Sequence, residues 1–237
     1  MSEVEAKIHI GIDNAKKLLK LFNERFEDNR FKKIGFIYDN FSSEFKDSIL
    51  LEDYKEIYNI IVKNYDYDIK LNGNAFLQFT YEKDKNDNII YIRYAYYDCP
   101  IETKTYEEFL KDELGYDYVL CGDEFFEEYD QYKTELNLKN NVTPIRYEYS
   151  QKEYLPLKHA ISHLHIGYNN EVRIPMSTII TPCEFVAFIL RHIYYKVWKK
   201  RMDDIDFITA YKDMRKHCSP VLDKYFTLED QKDFYIA

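Results

Sequence analysis

Glycine and proline are scarce, with 6 of each in 237 residues, and no stretch is rich in glycine, serine or proline. Because nothing marks a linker, we predict a single domain over residues 1–237. Cysteine is scarce too, and Cys99, Cys121, Cys183 and Cys218 are far apart, with no CxxC pair among them. That spacing predicts buried free thiols and disfavours a disulfide framework or a zinc knuckle.

Long apolar runs are absent as well. No stretch approaches the roughly 20 apolar residues that span a bilayer. The first residues, Met1–Ala6, are acidic and lack the apolar segment of a signal peptide. We therefore expect a cytoplasmic protein that has no membrane partner.

Acidic residues outnumber basic ones, and the formal net charge is −9. Proteins that coat duplex nucleic acid without sequence preference are basic, so this class is disfavoured. A local basic pocket is compatible with the negative sum, because net charge does not fix where charges lie. Aromatic residues are abundant: 24 Tyr and 16 Phe predict a core of large rings, with tyrosine hydroxyls at the surface or on a partner.

Apolar residues recur at helical spacing in several segments. The clearest start is Thr181-Pro182, where threonine suits the N-cap and proline the first helical position. The first stripe contains Ala15, Leu18, Leu19, Phe22 and Phe26. We predict helices from about Asp13, from about Asp47 to Lys63, from Tyr106 to Leu114, from Pro182 to near Lys200, from Asp203 to Lys216 and from Leu228 to Tyr235.

Elsewhere polar and apolar residues alternate, which is typical of half-buried strands. Strands are predicted at residues 67–71, 74–82, 89–97, 144–149, 162–168 and 171–175. Asn72-Gly73 is a strong signal for a tight hairpin turn. The predicted strands follow each other with short turns, and the predicted helices lie in separate segments. This order predicts an α+β fold, in which an antiparallel sheet is built from a meander and a hairpin and helices pack on one side of it.

The last predicted hairpin has two possible registers. With a plain two-residue turn, His165 would oppose Ile174, and both faces would mix polar and apolar residues. A bulge near Gly167 or Asn170 shifts the pairing by one residue. The shifted pairing places four polar residues on one face, namely His163, His165, Glu171 and Arg173. The apolar residues then share the other face: Leu164, Ile166, Val172 and Ile174. Burial of the apolar set selects this bulged register.

The polar face of that hairpin is the candidate site. His163 and His165 lie two residues apart, so both project from the same face of the strand. If the neighbouring strands adjoin the hairpin, Arg93, Arg146 and Arg173 converge on the same patch. Gln78 and Glu148 are further candidates. Two imidazoles can exchange protons near neutral pH, and guanidiniums can hold a phosphate, which suits metal-independent cleavage of a phosphodiester.

Two other interpretations stay open. The histidines of a His-x-His strand are often structural, with hydrogen bonds to carbonyls and tyrosine hydroxyls. The pair would otherwise bind a metal, completed by Glu148, Glu171, Asp98 or His159. No second His or Cys pair supports a metal, so neither a metal nor a cofactor is predicted. The Walker loop and the glycine-rich dinucleotide fingerprint are also absent from the sequence.

Three segments resemble a known family. They are Tyr67–Phe79, Ile92–Tyr97, and Ser162–Gly167 followed by Arg173-Ile174-Pro175 and Thr181-Pro182. Over roughly residues 10 to 200 the chain resembles the bacterial domain-of-unknown-function family DUF2290, which implies one α+β domain without a settled activity.

The order of an Arg-Tyr strand, a proline turn and a histidine-rich strand is similar to small prokaryotic toxins of the TumE kind. These are components of toxin–antitoxin systems. The likeness implies a toxin-like or phage-defence effector that acts on RNA.

Two hypotheses from different classes result. In the first, the chain is a metal-independent nuclease of a prokaryotic defence or toxin–antitoxin locus, with His163 and His165 as acid and base. Arg93, Arg146, Arg173 and Gln78 then bind RNA or single-stranded nucleic acid. In the second, the chain is a non-catalytic subunit that binds a protein from the same locus through its tyrosine-rich acidic surface. A homo-oligomer is compatible with both.

Overall fold

The computed structural model describes residues 2–29, 41–48, 53–100, 103–139, 144–167, 172–214 and 218–237. The chain forms two compact units, one made of residues 1–98 and 143–237 and the other of residues 99–142. Helices together with an antiparallel sheet confirm the α+β class.

The sheet of the larger unit is a meander in which each strand pairs with the next strand along the chain. Its strands are β1 Phe26–Asp28, β2 Ile69–Leu71, β3 Phe76–Lys83, β4 Ile89–Tyr97, β5 Ile145–Ser150, β6 Ser162–Ile166 and β7 Val172–Pro175. A short separate ladder pairs β8 Thr178–Ile179 with β9 Ser219–Pro220.

The helices of the larger unit lie before β1, between β1 and β2, and after β8. They are α1 Glu3–Phe22, α2 Ser43–Ser48, α3 Tyr54–Asn64, α7 Pro182–His192, α8 Tyr195–Arg201 and α9 Ile205–Met214. The smaller unit supplies α4 Tyr106–Phe109, α5 Tyr118–Cys121 and α6 Phe126–Lys139.

One face of the sheet carries the core of the larger unit. Phe79, Tyr94, Tyr147, Leu164 and Ile174 oppose one another across β3 to β7 and form an apolar row. The row is buried together with the inner faces of α1 and α7. This is the burial that the bulged hairpin register required, and the observed pairing of Leu164 with Ile174 and of His165 with Arg173 confirms that register.

Helices α1 and α7 approach each other closely at Gly11. A Cβ atom at this position would lie 2.6 Å from Cδ of Pro182, which is too short for any side chain. The N-cap of α7 is Thr181, whose hydroxyl accepts a hydrogen bond from the backbone N–H of Glu184, so the predicted helix start is confirmed. The close contact requires glycine at this crossing.

A buried ion pair also links α1 to the sheet. The Glu5 carboxylate accepts hydrogen bonds from Lys83 Nζ at 3.1 Å and from the Tyr81 hydroxyl at 3.0 Å. Burial acts to raise the pKa of Glu5, but these two bonds outweigh it and the pKa is lowered. The charged carboxylate therefore stabilises the contact of α1 with β3.

Helices α2 and α3 contact the opposite face of the sheet, at its β3–β4 end. Phe45 of α2 packs edge-on against Tyr97, with ring centroids 6.4 Å apart. Tyr58 of α3 packs on Phe76 at 5.2 Å. This face is thus apolar beneath α2 and α3 and polar further along β4 to β7.

The smaller unit is helical. It contains α4 Tyr106–Phe109, which continues as a π-helical turn Leu110–Leu114, then α5 Tyr118–Cys121 and α6 Phe126–Lys139. A capping box of Thr105 and Glu108 begins α4. Rings of Tyr106, Phe109 and Tyr129 pack together, with centroids 5.3 to 5.5 Å apart.

Several predicted boundaries were wrong. Helix α1 begins at Glu3, not near Asp13, and Phe26 belongs to β1. The single helix predicted at 47–63 is observed as α2 and α3, with residues 49–52 outside the described part of the chain. The helix predicted to reach Lys200 ends at His192, and α8 begins after it. The predicted helix 228–235 is a 3-10 turn at Asp230–Lys232.

The four cysteines are free, and Cys183 is buried while Cys99, Cys121 and Cys218 are partly exposed. Within the described ranges of the chain, no helix has the length and apolar character needed to cross a membrane.

Candidate functional site

The polar residues selected from the sequence share one face of the sheet. Two rows of paired residues cross the strands there. The first contains Thr80, Arg93, Glu148, His163 and Pro175, and the second contains Gln78, Ala95, Arg146, His165 and Arg173. The rows are adjacent because successive residues on one face of a strand lie two positions apart. Antiparallel neighbours thereby bring side chains that are far apart in sequence into one patch.

The two imidazoles of β6 contact each other directly. Nε2 of His163 lies 2.8 Å from Nε2 of His165. Nδ1 of His163 lies 2.8 Å from the carbonyl oxygen of Ala160, and since a carbonyl only accepts, this nitrogen carries the hydrogen. His163 and His165 are 1% and 2% exposed. The rings are therefore fixed, and both Nε2 atoms point to the same place.

Glu148 of β5 completes the centre. Its Oε2 lies 3.3 Å from Nε2 of His165 and 3.8 Å from Nε2 of His163. One ligand atom from each of the three side chains can be chosen so that all lie within 4.8 Å of one another. We call Glu148, His163 and His165 the three-donor centre.

The other oxygen of Glu148 faces two arginines. Oε1 lies 3.2 Å from Nε of Arg146 and 4.0 Å from Nε of Arg93. Burial acts to raise the pKa of Glu148, but the hydrogen bond to His165 and the two guanidiniums outweigh it and lower the pKa to about 2. The carboxylate is ionised at neutral pH, with the two imidazoles beside Oε2 and the two guanidiniums beside Oε1.

Arg93 is held by protein groups on several sides. It is 3% exposed, and it donates to Oε1 of Gln78 at 2.8 Å and to the Tyr97 hydroxyl at 2.7 Å. Gln78 in turn donates to the backbone carbonyl of Asp66. Arg93 and Gln78 therefore act on Glu148 from within the fold, and neither lies on an open surface.

Arg173 differs from the other two arginines because it is exposed. Within the described ranges of the chain, no ion pair joins Arg173 to a carboxylate. It lines a cavity of about 110 Å³ together with His163, and Lys158, His159 and Tyr225 contribute to the same walls. Asp230 and Asp233 also border the cavity. This is an approach from solvent to one edge of the three-donor centre.

Burial and the neighbouring ring of His165 lower the pKa of His163 to about 4, although Glu148 acts in the opposite direction. His163 is thus neutral at pH 7, with its hydrogen on Nδ1 and a lone pair on Nε2. It resembles a ligand or a hydrogen-bond acceptor more than a general acid.

The separation of the two histidines bears on mechanism. In an in-line displacement at phosphorus, the attacking and leaving oxygens lie on opposite sides of the atom. An acid and a base that serve them stand further apart than the 2.8 Å between these two nitrogens. The geometry therefore favours a centre in which both histidines act at the same point. It disfavours an acid and a base that stand on opposite sides of the phosphate.

Sequence reasoning identified most of this patch but not its organisation. Glu148 was considered as an additional member, whereas in the structure it joins both histidines to two arginines. Tyr97 was missed, although its position four residues after Arg93 on β4 places it on the same face. Of the four suggested partners for a metal, Glu148 is the one in contact with both imidazoles among the described residues, and Glu171 lies outside them.

The chain matches a family model described as an uncharacterized conserved protein (DUF2290) over residues 24–237. The match covers nearly the whole chain and includes all the residues of the candidate site. Comparison with curated proteins and with solved structures gives no match.

Proposed function

The chain belongs to the DUF2290 family of uncharacterised conserved proteins, and we propose that it is a cytoplasmic nuclease that cleaves phosphodiester bonds of RNA or another single-stranded nucleic acid. We further propose that it serves as an effector of a prokaryotic phage-defence or toxin–antitoxin locus. One observation carries the proposal: a buried His–His–Glu centre borders a cavity whose rim contains an exposed arginine.

Charge around the centre favours an anionic substrate. Arg93 and Arg146 both face the single carboxylate of Glu148, so the buried cluster has an excess of positive charge. An anion that enters next to His163 is stabilised by this field, which is little screened because the groups are buried. A phosphate diester carries such a negative charge, whereas a cationic or neutral substrate would not use these groups.

The cavity suggests how the substrate binds. Arg173 and Lys158 are exposed and can form bonds to phosphate oxygens, which guanidinium groups bind in a bidentate manner. Tyr225 offers a ring at the same wall, and bases of single strands stack on aromatic side chains. In this proposal Arg173 binds substrate, His163, His165 and Glu148 carry the reaction, and Arg93, Arg146 and Gln78 position Glu148.

The test uses purified protein with a labelled single-stranded RNA and a DNA of the same sequence. We compare wild type with His165→Asn and Arg173→Gln. Matched controls are His192→Asn and Arg191→Gln, an exposed histidine and arginine of α7, which packs on the other face of the sheet. We expect cleavage that His165→Asn abolishes, that Arg173→Gln lowers mainly through KM, and that both controls retain. Cleavage of equal rate in wild type and His165→Asn would contradict the proposal.

A second candidate function has an observation of its own. In the smaller unit, Val119 and Leu120 are each 87% exposed, next to the exposed rings of Tyr116 and Tyr118. Adjacent apolar side chains on a surface are typical of protein interfaces. A non-catalytic subunit that binds a partner from the same locus, or a second copy of itself, would use this patch.

One variant distinguishes the two candidate functions, nuclease and binding subunit. Leu120→Asp leaves the catalytic groups of the larger unit unchanged, so a nuclease retains its rate. If the protein is a binding subunit, we expect no cleavage by wild type and loss of co-purification with the neighbour-encoded protein in Leu120→Asp. Sedimentation of both forms shows whether the patch joins two copies of the chain.

A further inference from the structure

We propose that the three-donor centre binds one zinc ion, through Oε2 of Glu148 and Nε2 of both His163 and His165. The inference deepens the proposed function and rests on it for its catalytic consequence, whereas the ion site itself stands on geometry. It names a cofactor for the same site and thereby replaces the metal-independent cleavage that we expected from the sequence.

The distances between the three atoms fit one ion. The separations are 2.8, 3.3 and 3.8 Å. Ligands at 2.0–2.1 Å around a tetrahedral zinc are about 3.3–3.4 Å apart. The observed values lie on both sides of this length, so adjustments of about half an ångström place all three atoms at bonding distance.

A hydrogen bond accounts for the arrangement only if it is shared. One hydrogen on Nε2 of His165 would then lie between Nε2 of His163 at 2.8 Å and Oε2 of Glu148 at 3.3 Å. A metal ion engages all three lone pairs at once. Nδ1 of His163 is bonded to the Ala160 carbonyl, so Nε2 is the nitrogen with a free lone pair.

Two of the three donors have the contacts that orient metal ligands, whereas Nδ1 of His165 has no hydrogen-bond partner among the described residues. A ligating histidine commonly donates its other ring N–H to a backbone carbonyl, and a ligating carboxylate is itself held by other groups. His163 makes the first contact with Ala160 at 2.8 Å, and Glu148 makes the second through Arg146 at 3.2 Å. These outer partners fix the ring plane and leave Oε2 directed at the histidines.

The donor set selects the kind of ion. Two imidazole nitrogens and one carboxylate oxygen suit zinc, whereas magnesium and calcium prefer oxygen ligands. Three protein ligands are the number found in catalytic zinc sites, where the fourth position takes water or substrate. With two guanidiniums beside Glu148, a divalent ion makes the centre strongly positive, so its remaining position favours an anionic ligand such as a phosphate oxygen.

The experiment measures binding without relying on activity. Full-length protein is stripped with a chelator, dialysed and titrated with zinc chloride, and with magnesium chloride in parallel. We expect one equivalent of zinc, a melting temperature that rises by about 5–10 °C at zinc 100-fold above Kd, and no comparable response to magnesium. His165→Asn should weaken zinc binding by roughly 100-fold or more, and His192→Asn should bind like wild type.

Because a buried substitution can disturb folding, a second measurement uses wild type alone. X-ray absorption at the zinc edge should show two imidazole nitrogens and one carboxylate oxygen near 2.0–2.1 Å. No zinc binding by wild type, unchanged binding by a folded His165→Asn protein, or a spectrum without histidine would each overturn the site.

The outcomes also separate the two proposals. Zinc bound as described without cleavage of any nucleic acid overturns the nuclease and leaves the metal site. Cleavage that is equally fast in the stripped protein, with a chelator present, overturns the zinc site as a cofactor and leaves the nuclease.

Discussion

Replacement of Glu148 by glutamine tests the buried charge network. Glu148 lies between His165, Arg146 and Arg93, and its side chain is only 12% exposed. Glutamine has the same shape but removes the negative charge, so two guanidiniums are left side by side. Arg93 cannot reach solvent, because it is 3% exposed.

The magnitude follows from the contacts that remain. Removal of one partner from a buried ion pair costs roughly 3–5 kcal/mol. Arg93 keeps its bonds to Gln78 and Tyr97, and glutamine still offers Arg146 a neutral acceptor, so the loss is smaller. We expect the free energy of unfolding to fall by about 2–4 kcal/mol, which corresponds to a drop in melting temperature of about 5–15 °C for a chain of this size.

The assay is urea unfolding followed by circular dichroism, with chelator present so that metal does not contribute. Glu153→Gln is the control, because the Glu153 side chain is 58% exposed and its change should stay within roughly 0.5 kcal/mol. A double variant, Glu148→Gln with Arg146→Met, should recover roughly 1 kcal/mol or more relative to the sum of the single changes. A Glu148→Gln protein as stable as wild type would refute the reasoning.

Three further predictions concern the fold that supports the site. Gly11→Ala should cost about 1–3 kcal/mol, because the new methyl group would meet Pro182, whereas Gly73→Ala has open space around it and should be nearly neutral. Thr181→Ala removes the hydroxyl cap of α7 and should cost about 1 kcal/mol in a thermal melt. Glu5→Gln should lower stability by about 1 kcal/mol at pH 7. Since the folded pKa of Glu5 is lowered from 4.5, this difference should begin to shrink as pH falls below 4.5 and should be lost as pH falls through the folded pKa.

Each of these has a result that contradicts it. An alanine at position 11 that is neutral would mean that α1 and α7 can separate at no cost. An unchanged melting temperature for Thr181→Ala would mean that another group caps α7. A stability difference between wild type and Glu5→Gln that does not shrink as pH falls below 4.5 would exclude the charge of Glu5 as its cause.

The alternation of polar and apolar residues predicted the strands and the register of the last hairpin well, because one face of the sheet is buried. The shift of one residue in the β6–β7 hairpin could be chosen from sequence, since only the bulged register sorts Leu164 and Ile174 away from His165. Gly167 has φ of +97°, which agrees with an irregular turn near it. The turn residues themselves, 168–171, lie outside the described part of the chain.

Helix boundaries were less predictable, because apolar spacing does not show where a helix ends. Ile193 and Val197 continue the stripe of α7, yet they are 38% and 43% exposed, and the chain turns before α8. The start of α1 carried a usable signal that was overlooked: Ser2 caps the helix by accepting from the N–H of Glu5, and Ile8 and Ile12 extend the buried stripe. Asn72-Gly73 indicated a tight turn, which the hydrogen bond from the N–H of Asn74 to the Leu71 carbonyl confirms; the bond from the N–H of Leu71 to the Ala75 carbonyl makes the loop one residue longer than a two-residue turn.

The candidate site was predictable as a set of residues and not as a set of bonds. Alternation along β4, β5 and β6 fixes which side chains share a face. It does not show that Arg93 and Arg146 turn towards Glu148, because that depends on strand order and on rotamers. Knowledge that β4, β5 and β6 are neighbours would have placed Arg93, Glu148 and His163 in one row.

The most direct test of the proposed reaction centre is the single-turnover rate of cleavage of a labelled single-stranded RNA by excess zinc-loaded protein. We expect measurable cleavage by wild type and by His192→Asn, and a rate lower by roughly 100-fold or more for His165→Asn. Cleavage by wild type that His165→Asn retains in full, or no cleavage by a wild-type protein that holds its zinc, would contradict the assignment of this centre to phosphodiester cleavage.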